Sequence, residues 1–317
     1  MISQRLSKPT AFSTSPLRRI YFYFKYLVFR LLVFIANHLT HSTCNHLAGI
    51  IGSILFLRKK RRMVSMHNLR LAFPEKSEKA LEEIARASMQ GLVKVVFEFV
   101  RIPRIVKRPD LYIEIKGGEH VHQALQQGRG LIVTVSHFGN WELMGIAAAA
   151  NGFPLHAIGK PLENPFIYDF IERLRGITGL RHIRQGGAVR ACVRLIKENQ
   201  MIAMLIDENA RKGAVRVDFF GRKAATSGLP AMLALKYNVP IIPTYYYREE
   251  NKRSVLFFGK PFVLIKTGNY EADIQANTQQ YASSLQAEII KRPGDWTLWM
   301  HNRWKEHVPG AFYQRKI

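Results

Sequence analysis

The sequence is poor in cysteine, in acidic residues and in the motifs that mark metal sites and serine hydrolases. Its cysteines, Cys44 and Cys192, are too few and too distant for a disulfide framework or a cysteine-based zinc site, and they favour a reducing compartment. Ser136 lies outside any G-x-S-x-G elbow, which argues against a serine hydrolase. The pair His120 and His122 has no acidic third ligand at a known spacing, so no metal site is predicted.

Acidic residues number 23 against 47 lysines and arginines, which gives a formal net charge of +24. A field of this sign concentrates anionic partners near the protein, and nucleic acid, anionic lipid and an acidic carrier protein all fit it. A nucleic-acid-binding protein should also show a recognisable binding module or clustered surface aromatics. The sequence shows neither, so no nucleic-acid partner is predicted.

Long uninterrupted apolar runs are also missing, although the N-terminal region comes close. Residues Ile20–Ala36 are aliphatic and aromatic except for two cations, which leaves open whether this segment crosses a bilayer or lies in its interface. A shorter apolar stretch, Leu47–Leu57, precedes the basic run Arg58–Arg62, a pattern typical of contact with acidic headgroups. We therefore predict that residues 1–62 form a membrane-anchoring helical segment with its basic side facing the cytoplasm. A buried core helix with a solvated charged end is the alternative for the second stretch.

The rest of the chain, residues 63–317, has the pattern of one α/β catalytic domain. Ser77 begins a helical pattern of apolar residues that continues to Phe99, after which short apolar strands alternate with helices. The predicted strands are Tyr112–Ile115, Leu131–Val135, Leu155–Ile158, Arg181–Arg184, Ile202–Ile206, Val215–Phe219, Pro240–Tyr246 and Val255–Phe258. This alternation favours a central, largely parallel mixed sheet with helices on both faces.

The most informative motif is His137-Phe-Gly-Asn-Trp-Glu142, which directly follows a predicted buried strand. In an unbroken helix five residues rotate by about 140°, so the two side chains would diverge. The turn at Gly139 and Asn140 lets them converge instead, and a carboxylate beside an imidazole supports a general base. On spacing alone, a hydrogen-bonded core histidine is the favoured alternative.

Four groups of residues together resemble the late acyltransferases of lipid A biosynthesis, the lauroyl and myristoyl transferases, within the wider group of H-x4-D/E glycerolipid acyltransferases. These groups are Asn68-Leu69 with Ala72-Phe73-Pro74; His137 to Glu142; Asn164-Pro165 with Arg175; and Asp207, Asp218-Phe-Phe-Gly221 and Pro243 with the tail from Trp296 to Lys305. They extend over nearly the whole chain and are specific only in combination.

The resemblance implies that His137 and Glu142 are catalytic. Asp207 matches an acidic position after a strand and is expected to contact the histidine from its other side. The triplet Asp207-Glu208-Asn209 departs from the Asp-Gln or Asp-His pair common in the family, which leaves open whether Asp207 or Glu208 faces the site. A simple capping role for Asp207 is the alternative.

The resemblance also implies a substrate-binding group of Asn140, Lys160, Asn164 and Arg175, with Lys160 and Arg175 holding a phosphate of the acceptor. A cation on a helix surface is the alternative for Arg175. The aromatic tail is expected to act mostly in packing.

By resemblance, the protein is a membrane-associated acyltransferase that moves a fatty acyl chain from a thioester to a hydroxyl of a lipid A precursor, an anionic glycolipid. The donor is acyl carrier protein or coenzyme A, and no cofactor is required. Backbone N–H groups near Gly139 and Asn140 are expected to hold the oxyanion, and an apolar tunnel is expected to hold the chain. The expected location is the cytoplasmic face of a bacterial inner membrane. Another lipid acceptor (lysophospholipid, aminolipid or glycolipid) and a non-catalytic membrane protein are the alternatives.

Overall fold

A computed structural model describes residues 15–107, 112–184, 186–210, 213–249 and 253–304 of the chain. Lys305, at the end of the aromatic tail, lies outside the described residues. The strands are β1 (Ile113–Lys116), β2 (Leu131–Val135), β3 (Leu155–Gly159), β4 (Arg181–Arg184), β5 (Met201–Leu205), β6 (Ala214–Phe219), β7 (Arg222–Ser227), β8 (Ile241–Tyr247) and β9 (Ser254–Phe258).

Seven of these strands form a sheet of order β1-β9-β8-β2-β5-β3-β4, while β6 and β7 form a separate antiparallel hairpin. Every neighbouring pair in the large sheet is parallel except β8 with β9. The described helices are α1 (Pro16–His38), α2 (His41–Phe56), α3 (Lys59–Ala72), α4 (Glu78–Val100), α5 (Ile102–Ile105), α6 (Gly118–Leu125), α7 (Trp141–Ala150), α8 (Pro165–Gly176), α9 (Ala188–Lys197), α10 (Leu229–Tyr237) and α11 (Tyr270–Lys291), with short 3-10 helices at Pro293–Asp295 and Thr297–Met300.

Strand β2 shows why the sheet is covered on both faces. All five of its residues are buried, and successive side chains of a strand point to opposite faces. Ile132 accordingly packs in one apolar core, whereas Leu131, Val133 and Val135 pack in the other. The predicted α/β architecture, with a largely parallel mixed sheet between two helical layers, is confirmed.

The N-terminal region packs on the sheet domain. Helix α1 is the one described helix that is long and apolar enough to cross a membrane. Helix α2 lies along α4, and its buried residues Cys44, Ala48, Gly52 and Phe56 recur every fourth position. The domain boundary at residue 62 stays a prediction, and helices on its two sides are in direct contact.

Candidate active site

Two neighbouring parallel strands bring the candidate base and its carboxylate together. Strands β2 and β5 pair in register from Leu131–Met201 to Val135–Leu205, so the segments that follow them emerge side by side. His137 and Asp207 lie in these segments. The backbone N–H of His137 donates to Asp207 Oδ2 at 2.7 Å, and its imidazole Nδ1 lies 2.9 Å from Asp207 Oδ1.

Asp207 is fully buried and accepts a further hydrogen bond from the indole Nε1 of Trp296 at 2.9 Å. Burial alone would raise the pKa of this carboxyl, but the adjacent imidazole and the hydrogen bonds hold the pKa below its ordinary value. Burial likewise opposes the charged form of His137, yet Asp207 raises the pKa of the imidazole above its ordinary value. An ionised Asp207 therefore stabilises the imidazolium that a general base must form.

The second imidazole nitrogen, Nε2, faces a different carboxylate. Glu208 Oε1 lies 3.9 Å from Nε2, and the Glu208 side chain is 63% exposed. Asp207 and Glu208, between which the sequence left a choice, therefore both neighbour His137, one at each ring nitrogen. The ring of Trp141 also contacts the imidazole, with centroids 4.8 Å apart. Since Nδ1 is engaged by Asp207, Nε2 is the nitrogen left for a substrate.

The structure gives Glu142 a partner other than the expected His137. Its carboxylate pairs with the guanidinium of Arg175, with Nη2–Oε1 at 2.5 Å and Nε–Oε2 at 2.9 Å. Arg175 also donates to Glu172 Oε1 at 3.0 Å. Glu142 pairs with Arg175 because it lies in the first turn of α7, within reach of the end of α8. The Nδ1 of His137 is already engaged by Asp207. The expected contact between Glu142 and the imidazole is thus replaced by an ion pair beside it.

Arg175 is not a cation on the helix surface, and its expected contact with a phosphate of the acceptor stays a prediction. Its side chain is 17% exposed, and its guanidinium forms ion pairs with the carboxylates of Glu142 and Glu172. Burial opposes the charged guanidinium, but these carboxylates keep its pKa above the ordinary value. We infer that Arg175 fixes the position of Glu142 at the cavity wall.

The turn between β2 and α7 depends on Gly139 and Asn140. Gly139 has a φ of +64°, and a Cβ at this position would clash with the carbonyl oxygen of Tyr246. Its N–H donates to the carbonyl of Asp295 at 2.9 Å, so this group does not serve the expected oxyanion role. Asn140 caps α7, because its Oδ1 accepts hydrogen bonds from two N–H groups in the first helical turn.

Asn140 is also tied to a buried ion pair that the sequence did not indicate. Its Nδ2 donates to Glu98 Oε2 at 2.6 Å, and the same oxygen lies 2.8 Å from Arg248 Nη2. Burial alone would raise the pKa of Glu98, but the charge of Arg248 and the hydrogen bonds from Arg248 and Asn140 together hold the pKa below its ordinary value. Asn140, itself fully buried, therefore acts in positioning the turn.

The remaining predicted substrate residues lie at different depths. Lys160 is exposed and lines the cavity described below, which suits contact with an anionic group. Asn164 is buried, caps α8, and donates from Nδ2 to the carbonyl of Phe22 in α1 at 2.9 Å. Asn164 thus joins α1 to α8. Among the described residues, no group of three or more His, Cys, Asp or Glu is placed to hold a metal ion.

A cavity of about 1350 Å³ opens beside His137 and continues under α7. Its polar lining includes Glu142 and Glu208 near the imidazole, and also Lys160. Its deeper wall is apolar and includes Val133, Val135, Met144, Ala148, Leu155, Ala157, Leu180, Met201, Ala203 and Phe258. The cavity therefore combines the candidate base His137 with a large apolar wall.

The aromatic tail contributes to the site besides packing. Trp299 and Trp304 are buried as expected, while Trp296 donates to Asp207. Arg303, whose pKa burial lowers to about 10, donates to the carbonyl of Glu208 at 3.0 Å and to that of Ala225 at 2.7 Å. The tail therefore holds the loop that carries both carboxylates. The indole donor beside Asp207 had no signal in the sequence.

Comparison with known proteins identifies the family. A model described as bacterial lipid A biosynthesis acyltransferase matches residues 10–306. A phosphatidylinositol mannoside acyltransferase of Mycolicibacterium smegmatis is 24% identical over 222 residues, 68% of this chain and 71% of that protein. A lipid A biosynthesis acyltransferase of Haemophilus influenzae is 29% identical over 194 residues, 59% and 60% of the two chains. The lipid A biosynthesis lauroyltransferase of Escherichia coli is 23% identical over 273 residues, 82% and 85% of the two chains. Because this family model matches nearly the whole length of the chain, the chain belongs to the bacterial lipid A biosynthesis acyltransferase family.

Proposed function

We propose that this O-acyltransferase moves a fatty acyl chain from an acyl thioester to a hydroxyl of a membrane glycolipid, with His137 as general base. The observation that carries the proposal is the His137 imidazole itself. Its Nδ1 is held by the buried carboxylate of Asp207, and the ring lines a large cavity whose deeper wall is apolar.

In this mechanism Asp207 keeps the proton of the neutral ring on Nδ1, which leaves Nε2 free to accept a proton. Nε2 takes the proton of the acceptor hydroxyl as its oxygen attacks the thioester carbonyl. The C–S bond breaks, an ester forms, and the imidazolium returns the proton to the leaving thiolate. No acyl-enzyme intermediate is required, because the acceptor oxygen attacks the thioester directly.

The apolar part of the cavity is suited to the acyl chain. Each methylene that leaves water for an apolar wall contributes roughly 0.8 kcal/mol, so a long chain supplies much of the donor's binding free energy. The catalytic site itself contains no cluster suited to a metal among the described residues, and the proposed reaction requires no cofactor.

The net charge of +24 suits an anionic donor, either acyl carrier protein, which is a small acidic protein, or coenzyme A with its phosphates. A phosphorylated lipid A precursor is the proposed acceptor, with Lys160 near its anionic group. The phosphatidylinositol mannoside acyltransferases among the relatives support a mannosylated phosphoinositide as the second candidate acceptor. Both lipids are anionic, which suits a basic enzyme at the cytoplasmic face of the inner membrane.

The test is acyl transfer by the full-length protein from a panel of acyl carrier protein thioesters to a tetra-acylated, Kdo-bearing lipid A precursor. A parallel series uses coenzyme A thioesters and mannosylated phosphatidylinositol. We expect His137→Ala to lower transfer by at least about a hundredfold. Failure of the wild type with every acceptor would contradict the proposed substrates, and full activity of His137→Ala would contradict the mechanism.

A further inference from the structure

Helix α1 is attached to the rest of the protein along its whole length. The contacts are Arg18 Nη2 with Glu163 Oε1 at 2.7 Å, Asn164 Nδ2 with the Phe22 carbonyl at 2.9 Å, Phe29 with Phe170 at 5.4 Å between ring centroids, and Asn37 Nδ2 with the Val100 carbonyl at 3.0 Å. The less exposed positions 22, 26, 29, 33 and 36 recur at intervals of three and four residues. They form one stripe on the helix, and this stripe faces the domain.

The opposite face of α1 is apolar and exposed. Ile20, Phe24, Leu27, Leu31 and Ile35 also recur at intervals of three and four residues, and their exposed fractions lie between 45% and 66%. At about 100° per residue, this row lies across the helix from the stripe that packs on the domain. A continuous apolar strip of this length is unusual on a surface that faces only water.

The borders between these two faces carry the exposed cations Lys25 and Arg30 beside exposed apolar residues such as Leu32 and Phe34. Lys25 lies along one border of the domain-facing stripe and Arg30 along the other, on a helix that turns about 100° per residue. Each is exposed and stacks on a neighbouring ring, Lys25 over Tyr21 at 4.2 Å and Arg30 over Phe170 at 5.2 Å. Both lie near the middle of α1, where a membrane-spanning helix would place them at the centre of the bilayer at high cost.

We propose that α1 lies in the plane of the membrane as an interfacial anchor and does not cross it. The row from Ile20 to Ile35 enters the acyl region, and the flanking cations lie at the level of anionic headgroups. A crossing along the membrane normal would draw α8, which packs along α1 and carries Arg173 and Arg175, into the hydrocarbon. The inference rests on the membrane association proposed above and specifies its geometry.

An in-plane α1 also sets the cavity close to the lipid. The ion pair between Arg18 and Glu163 and the hydrogen bond from Asn164 fix the N-terminal part of α1 beside the loop that follows β3. The same loop region begins at Lys160, which lines the cavity. A glycolipid in the same leaflet would therefore reach His137 without leaving the membrane surface.

The two arrangements differ in where the ends of α1 lie. We would place single cysteines at Leu17→Cys, before the apolar row, and at Ser42→Cys, after the helix, in the full-length chain. Intact and permeabilised spheroplasts are then treated with a membrane-impermeant maleimide. Wild type, whose two native cysteines are buried, gives the background.

An in-plane helix predicts the same result at both ends, namely labelling only after permeabilisation. Labelling of one end alone in intact spheroplasts would overturn the proposal, because it shows that the chain crosses the bilayer between the two sites. Labelling of both ends in intact spheroplasts would be consistent with the in-plane geometry. It would contradict the cytoplasmic location in the proposed function.

Depth measurements test the lipid contact itself. Fluorophores attached at Ile20→Cys, Leu27→Cys and Ile35→Cys are quenched by spin-labelled lipids in phosphatidylglycerol–phosphatidylethanolamine vesicles. The proposal predicts one shallow depth of about 5–10 Å at all three positions. A deep Leu27 between shallow neighbours indicates a spanning helix, and an absence of quenching at all three positions shows that lipid does not cover this face; either outcome overturns the proposal.

A charge-matched pair of variants provides the binding control. Leu31→Lys places a cation on the apolar row, whereas Val263→Lys makes the same change at a residue that is 82% exposed and distant in sequence from α1. We expect Leu31→Lys to weaken partitioning into these vesicles by about tenfold and Val263→Lys to leave it unchanged. Equal partitioning of both variants would contradict the proposal. Acyl transfer measured in detergent reports the chemistry separately, so loss of the activity and loss of the anchor are distinguishable.

Discussion

At the scale of single residues, the proposed mechanism depends on which imidazole nitrogen of His137 is available to the substrate. Asp207 holds Nδ1 from inside the protein, and Glu208 lies 3.9 Å from Nε2 at the cavity side. A base between two carboxylates favours its protonated form, which assists proton abstraction. In the proposed mechanism the enzyme would lose activity as the pH falls and the free imidazole becomes protonated.

We predict that Asp207→Asn lowers kcat/KM at neutral pH by about a hundredfold or more and moves the acidic limb of the pH profile to lower pH. Asp207 raises the pKa of His137, so its removal lets that pKa fall. Activity, which requires the neutral ring, then begins to appear at lower pH although its maximum is smaller. The measurement is kcat/KM against pH for both proteins.

Glu142→Gln is the matched comparison. Glu142 is paired with Arg175, and its influence on the pKa of His137 is exerted through space and is smaller than that of Asp207. The acidic limb should therefore move less than in Asp207→Asn, even if activity falls because Arg175 loses one of its two carboxylate partners. An equal or larger shift in Glu142→Gln would show that Asp207 is not the group that sets the imidazole pKa.

At the scale of elements, the turn between β2 and α7 sets the direction of His137. Gly139 combines a positive φ with close packing on Tyr246, whereas Gly128 has a φ of +70° in open surroundings. Alanine at either position meets backbone strain of about 1–2 kcal/mol, and only alanine at Gly139 adds a steric clash. We predict that Gly139→Ala lowers the free energy of unfolding by at least about 1 kcal/mol more than Gly128→Ala does.

The measurement is urea unfolding of the two variants, combined with their transfer activity. Gly139→Ala should also lose activity, because the backbone that carries His137 must move away from the Tyr246 carbonyl. Gly128→Ala should keep its transfer activity. Equal stability of the two variants would mean that the β2–α7 turn has room that the structure does not show.

Elements with a strong local pattern were predicted well. The apolar runs of β2 and the other seven predicted strands are present within one or two residues, and Ser77 caps α4 as expected. Strand β7, Arg222–Ser227, is absent from the prediction because its sequence is polar and alanine-rich and lacks the apolar pattern of a strand. It is a strand because it pairs with β6, and a pairing partner is not a property of the segment itself.

At the scale of the whole molecule, three adjacent strands build the wall of the cavity. Val133, Ala203 and Ala157 lie side by side across β2, β5 and β3, and all three line the cavity. The two alanines leave the space in which an acyl chain can extend. A larger side chain at Ala203 should therefore shorten the chain that the enzyme accepts.

We predict that Ala203→Leu shifts the preferred donor to a shorter acyl chain, by about 10–200-fold in relative kcat/KM for each methylene excluded. The measurement is competition between acyl carrier protein thioesters of different chain length. Met201→Leu, which nearly conserves volume at the neighbouring cavity position, is the control and should leave the preference unchanged. A preference unaffected in Ala203→Leu would mean that the chain binds elsewhere.

The sequence by itself determined the alternation of strands and helices, the apolar N-terminal helix and the strand-end position of His137. These follow from local periodicity and turn residues, which act over a few positions of the chain. The family resemblance already implied that Asp207 contacts His137, but only the tertiary structure decided that this contact is made at Nδ1. It also decided that Glu142 pairs with Arg175 and that Trp296 and the Glu98–Arg248 pair support the site. Each of these contacts depends on which strand ends and helix ends become neighbours. The packing of segments that are distant in the sequence determines these neighbours.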